Sequence, residues 1–255
     1  MCTLVILNEY VDNYPLIVAA NRDERYDRRS RPPEMTNEKI VRPWDDEKNG
    51  TWTGVCEDGW FVGLTNQDDE HHYENRESRG KVVLDCLRAR QHSSAAKILS
   101  HLDATRYNPF NIVFGRPGAM FLTRVGSPCA LEMELLPPGV NVISNDCCGG
   151  KYACKVAQGD VLAHRIDPRA GIDVAMNDLF KLLGDHTNST EHDPFQSLCA
   201  HADEYAFGTR STSIITVSKE GNVEYWYSEG HPCQSTGLTL VGSMLHPIKE
   251  DNEQG

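Results

Sequence analysis

Apolar residues along this chain come in short runs broken by turn chemistry, with helical spacing confined to two blocks. The first run, Leu4-Val5-Ile6-Leu7, follows Met1-Cys2-Thr3. The second, Leu16-Ile17-Val18-Ala19-Ala20, ends in the polar knot Asn21-Arg22-Asp23-Glu24. Turn residues between Tyr10 and Pro15 predict a β-hairpin, with a linker longer than a two-residue turn. That hairpin would return the knot to the chain start and set Cys2 beside Arg22 and Asp23. Residues 50–56 and 60–66 predict two more strands about the Glu57-Asp58-Gly59 turn, the second delivering Asn66 at its end.

Val83, Leu84 and Leu87 recur at helical spacing after Ser78, a candidate N-cap, and Ser93–Leu102 predicts a second helix. Strands resume at 111–115 and 119–124 around Arg116-Pro117-Gly118, at 131–136, and at 140–145, an alternating run that ends in Asn145. Residues 151–184 read as helical with a break at Pro168 and Gly171, and 185–193 as a polar loop. A closing hairpin is predicted from Phe207 through Val217, turning at Gly221-Asn222 into 223–227, with Arg210 near its start. Residues 25–47 are charged, carry Pro32, Pro33 and Pro43, and read as a long surface loop over a site. Hairpins interleaved with helical blocks suit an α+β fold of antiparallel sheets covered by helices better than a parallel βαβ fold.

At 255 residues the chain could form one large domain or two small ones. A formal net charge of -12 argues against nucleic acid as a partner, since phosphate binding needs a basic surface. No run has the length of an integral membrane segment, and no basic stretch precedes the first apolar run as a secretion signal requires. Nine irregularly spaced cysteines without such a signal point to reduced thiols in the cytoplasm. The one cysteine cluster, Cys147, Cys148 and Cys154, lacks the second pair or nearby His that a zinc set needs, and His71-His72 reads as a polar loop tip. No cofactor or metal is expected.

Cys2 carries the candidate chemistry. Its small side chain permits removal of Met1, and it would then hold a thiol and a free α-amine whose ordinary pKa is about 8. Such a residue can act as nucleophile with its own amine as base. Arg22 would favour the thiolate and Asp23 could orient the amine. Against this stands Cys2 as an inert core hydrophobe.

Taken together, Met1-Cys2-Thr3, Asn21-Arg22-Asp23-Glu24, Gly50-Thr51-Trp52, Leu64-Thr65-Asn66, Ser78-Arg79-Gly80, Tyr107-Asn108-Pro109-Phe110-Asn111, Ile143-Ser144-Asn145 and Gly208-Thr209-Arg210-Ser211 resemble the NRDE family, also called transport and Golgi organisation protein 2. The resemblance runs nearly end to end. It implies a single domain over 1–248 with a polar tail at 249–255, and a four-layer αββα sandwich of the N-terminal nucleophile hydrolase type. From the N-terminal-Cys branch of those hydrolases it implies Cys2 as nucleophile and Arg22 and Asp23 as the charged pair. Asn66 and Asn145 would stabilise an oxyanion or orient the amine, and Arg210 would position the thiolate or substrate. The branch's Arg-Asn-x-Asp is here Asn-Arg-Asp, and Asp146-Cys147-Cys148 stands where the family has an aromatic and a proline.

The resemblance leaves three readings open. The first is a hydrolase of a small-molecule amide or acyl substrate. The second is a carrier of haem, acyl-coenzyme A or lipid, and the third a scaffold in secretory-pathway organisation. It also adds mitochondria and the Golgi to the cytoplasm as compartments, and leaves the oligomeric state open.

Overall fold

The computed structural model describes residues 2–67, 73, 75–126, 133–145, 153–187 and 193–245, with Cys2 described through its backbone alone. His71-His72, Cys147-Cys148, the start of the 131–136 strand and the 249–255 tail lie outside these residues.

β1 (Cys2–Val11) and β2 (Tyr14–Arg25) form the expected hairpin, but its turn is tighter than the sequence suggests. Val11 stands opposite Tyr14, leaving only Asp12 and Asn13 in the turn, with Asn13 at φ 66°. The strand propensity of Tyr10, Val11 and Tyr14 outweighs their polar neighbours. A register shift between Asn8 and Val11, where Glu9 adopts φ 52°, absorbs the mismatch.

Residues 25–47 depart from the expected loop. They contain β3 (Ser30–Met35) and β4 (Ile40–Asp45), paired antiparallel. The prolines that argued for a loop are tolerated because β3 is an edge strand, and the register shift between Arg31 and Glu34 spans Pro32-Pro33. On β4, Ile40 and Val41 are fully buried, which anchors the hairpin. The chain continues through β5 (Thr53–Cys56), β6 (Phe61–Asn66), α1 (Arg79–Ala89) and α2 (His92–Ser100). Then come β7 (Phe110–Arg116), β8 (Ala119–Val125), β9 (Glu134–Leu135) and β10 (Gly139–Ile143). Ser78 does stand at the N-cap of α1, though without a side-chain capping bond.

The break at Pro168 and Gly171 divides α3 (Ala153–Ala163) from α4 (Ile172–Leu183). β11 (His201–Ala202), β12 (Phe207–Val217) and β13 (Asn222–Glu229) follow, and β14 (Thr239–Leu245) adds a strand the sequence reading did not anticipate. No helix among the described residues is long and apolar enough to cross a membrane.

All described pairings are antiparallel and form two seven-stranded sheets. One has the order β10-β1-β2-β12-β13-β14, with β11 beside β12; the other runs β3 through β9 in chain order. Three apolar clusters define the layers. Leu4, Ile6, Leu16 and Val18 pack between the sheets against Val55, Phe61 and Val113. Val62, Leu64, Ile112 and Phe114 meet Val83 and Leu87 of α1. Val5, Leu7, Ile17 and Ala19 meet Leu179 and Leu183 of α4. Successive strand residues thus alternate between the sheet–sheet core and a helical layer. The result is the expected αββα sandwich.

One close backbone approach bears on the site. Thr51 N–H donates to Gly80 O at 3.3 Å, and a Cβ on Gly50 would lie 2.7 Å from the Gly80 carbonyl carbon. This contact seats the turn that carries Trp52 onto the start of α1. Gly50→Ala is expected to cost about 1–3 kcal/mol, read by urea denaturation, because rigid backbone must give way. An unchanged midpoint would refute the close-packing argument.

Candidate active site at the head of the first strand

The signature at the end of β2 sorts its side chains by strand alternation. Asn21 faces the helical layer, where its Nδ2 donates to Leu183 O at 2.8 Å and Leu198 O at 2.9 Å. Its Oδ1 accepts from Thr212 Oγ1 at 2.6 Å, so one amide ties β2, β12 and the end of α4. Asp23 is fully buried, with Lys155 Nζ of α3 at 2.8 Å and Thr209 Oγ1 donating at 2.7 Å. Lys155 is itself 1% exposed, so this is an ion pair sealed from water. Arg22, between them, reaches the other side. Its Nη1 donates to Ser30 Oγ at 3.2 Å, and its guanidinium lies 4.3 Å from the Trp52 ring centroid. Glu24 pairs with Arg28 at 2.7 Å, and Arg28 also pairs with Asp45 at 2.6 Å. Burial acts to raise the Glu24 carboxyl, but Arg28, the Arg25 backbone N–H and Arg22 help hold it below its ordinary value.

Cys2 stands opposite Arg22 in the β1–β2 ladder, as the hairpin predicted. On its other side, β10 pairs with β1 so that Ile143 is opposite Leu4. Asn145 lies two residues beyond that last pair. Ser144 and Asn145, both buried, are moored from the second sheet. Thr65 Oγ1 donates to Ser144 O at 3.0 Å and Asn111 Nδ2 donates to it at 2.9 Å. Gln67 Nε2 in turn donates to Asn111 Oδ1 at 2.8 Å. A polar network thus crosses the sheet–sheet layer at one end, where the apolar core gives way to hydrogen-bonded side chains.

Asn66 and Arg210 take less central positions. Asn66 is half-buried at the end of β6, next to Thr65 and in the strand row of Val62 and Leu64, which pack against α1. Arg210 is the extra residue of a bulge on β12, where Thr209 is opposite Asp23 and Ser211 opposite Arg22. Its Nη1 donates to the carbonyls of Arg25, at 3.0 Å, and Tyr26. Cys2 and Arg22 therefore share one strand level, and Asn145 follows the end of the neighbouring β10. Asp23 is adjacent but joined to the helical layer, and Arg210 braces the chain leaving β2.

Lys155, Ser30 and Gln67 lay outside the segments quoted for the family resemblance. Trp52, Thr65, Asn111, Ser144 and Thr209 lay inside those segments without a chemistry attached. Their polar side chains amid apolar strands were the available signal.

Two antiparallel sheets between helical layers, with a strand that opens on cysteine in the interior of one sheet, define a fold of the N-terminal nucleophile hydrolase type. Solved structures agree. A Caenorhabditis elegans orthologue of N-acylethanolamine-hydrolyzing acid amidase matches with a TM-score of 0.55 and 12% identity, covering 84% of this chain and 92% of that one. A variant of conjugated bile acid hydrolase from Clostridium perfringens matches with a TM-score of 0.59 and 11% identity, covering 96% and 97%. Residues 1–229 match the model of the Transport and Golgi organisation 2 family, and the chain belongs to that family. Transport and Golgi organization protein 2 homologues from Bos taurus and Homo sapiens are each 25% identical over 237 residues, covering 83% of this chain and 85% of theirs.

Proposed function

We propose that this chain is an N-terminal-cysteine hydrolase of a linear amide or related acyl bond. The observation that carries the reading is the pairing of Cys2 with Arg22 on β2, with Asn145 two residues beyond the β1–β10 ladder. After removal of Met1, the free α-amine takes the Cys2 thiol proton, and the sulfur attacks the substrate carbonyl. The tetrahedral oxyanion is met by the Asn145 amide, while Asn66 lies in the strand row facing α1 and is given no part in this step. Collapse breaks the C–N bond, the departing amine leaves with the proton, and a thioester remains. Water, deprotonated by the α-amine, then attacks the thioester carbonyl and releases the acid and the thiol.

Arg22 supplies the positive charge that favours the thiolate. Asp23 and Arg210 are assigned positioning roles, because their hydrogen bonds already anchor them to Lys155, Thr209 and the carbonyls after β2. The solved neighbours named as an amidase and a bile acid hydrolase support an acyl-transfer chemistry on this fold, while the choice of bond rests on the site. A reducing compartment such as the cytoplasm suits the described cysteines, among which no disulfide is formed.

Trapping the thioester tests the reading. Quenching with acid during turnover of an N-acyl amide panel should add the acyl mass to the peptide beginning at Cys2. If turnover occurs with no adduct on that peptide, the mechanism is wrong. If the panel is inert and a haem or acyl-coenzyme A stays bound in Cys2→Ala, the carrier reading replaces it.

A further inference from the structure

Behind Asp23, cysteines and histidines from two separate segments converge. Cys199 precedes β11, His201 lies within it, and Cys233 and His231 follow β13. Cys199 Sγ and Cys233 Sγ are 3.6 Å apart, Cys199 Sγ and His201 Nε2 3.4 Å, and His201 Nε2 and Cys233 Sγ 3.1 Å. The His201 and His231 rings stack with centroids 4.0 Å apart, and a ligand atom of His231 lies within 4.8 Å of those of Cys199 and His201. His231 Nδ1 is buried and has no hydrogen-bond partner among the described residues. A buried imidazole nitrogen without a partner is an unfavourable arrangement unless something else binds it.

We propose that Cys199, His201 and Cys233 hold a zinc ion, with His231, turned out of its stack on His201, as the fourth ligand. Tetrahedral zinc, with Zn–S near 2.3 Å and Zn–N near 2.0–2.1 Å, sets its ligand atoms about 3.6–3.8 Å apart. The observed triangle matches each edge to within about 0.5 Å of that requirement. Thiolate and imidazole together select zinc over magnesium or calcium, which prefer oxygen. Binding releases the two thiol protons to solvent.

The site would clip the 231–233 turn to the strand beside β12. That strand is tied to the end of β2: Ala200 N–H donates to Thr209 Oγ1 at 2.9 Å, and that hydroxyl donates to Asp23. Gly208 makes room for the clip, since a Cβ there would lie 2.7 Å from Ala200 O and 3.0 Å from His231 Cε1. His186, exposed and edge-on to His201, stands at the mouth of the site. The ligands come as two pairs, Cys199 with His201 and His231 with Cys233, each two residues apart and unlike the usual zinc-ligand spacings, which is why the sequence conceals them.

The test uses full-length protein without a histidine tag, its metal content measured by mass spectrometry, then titrated with zinc against a chromophoric chelator. About one zinc per chain is expected. Cys233→Ser and His231→Gln, both on a surface turn and thus compatible with folding, should each weaken zinc binding by more than about 100-fold. His186→Gln should change it by less than about tenfold. Cobalt in place of zinc should give a sulfur-to-metal charge-transfer band that Cys233→Ser removes. Zinc affinity unchanged in Cys233→Ser, or lost in His186→Gln but kept in His231→Gln, overturns the assigned ligand set. A Cys199–Cys233 disulfide in protein that takes up no zinc overturns the site altogether.

Discussion

Lys155→Met is expected to destabilise the fold by about 3–5 kcal/mol, the usual cost of removing one partner from a buried ion pair. The lysine and Asp23 are 1% and 0% exposed, so no water can replace the lost charge partner. The Thr209 hydroxyl would remain as a donor to Asp23, but a neutral hydrogen bond does not compensate a buried carboxylate. Such a loss is a large part of the about 5–15 kcal/mol by which a domain is stable, and lowers Tm by roughly 6–20 °C. Adding Asp23→Asn should recover part of it, because the amide carries no charge and still accepts from Thr209. Urea denaturation of the single and double variants checks both statements. A single variant within about 0.5 kcal/mol of the original would show that the pair does not hold the helical layer to β2.

Cys2→Ala is expected to lower turnover of any amide or acyl substrate by more than about a thousandfold, as loss of a covalent nucleophile does elsewhere. The fold should survive, since the strand keeps its backbone pairing with Arg22 and only one sulfur is removed. Cys2→Ser separates the roles further: the α-amine is kept, while the nucleophile becomes a poorly ionised hydroxyl. It should stay far below the original yet above Cys2→Ala. Steady-state rates with matched unfolding midpoints decide the matter. Equal rates for all three proteins would remove Cys2 from the chemistry.

Much of the fold was legible because its strands obey simple patterns. Leu4–Leu7 and Leu16–Ala20 are apolar on both faces, as a strand between a second sheet and a helical layer must be. Residues 53–66 announce their hairpin through Asp58-Gly59, with Gly59 at φ 75°. The 25–47 segment misled because an edge strand tolerates proline and charge, and its register depends on partners rather than on its own periodicity. β14 is mostly exposed, so Thr239–Leu245 carries little alternation to read.

The pairing of Cys2 with Arg22 was legible, because the hairpin places one opposite the other. The site was not legible where distant side chains meet. Nothing in α3 marks Lys155 for burial, because its partner Asp23 is 132 positions away. The alternation that separates Arg22 from Asp23 was implicit in the strand, yet the motif reads as one charged pair until Ser30 and Trp52 are seen on one side and Lys155 and Thr209 on the other.

The central claim is that Cys2 is a free N-terminal nucleophile, and the mass of the N-terminal peptide from natively expressed protein tests it most directly. The account predicts a peptide that begins at Cys2 with an unmodified amine. A peptide that retains Met1, or carries an acetyl group on Cys2, would remove the base the mechanism requires and contradict it.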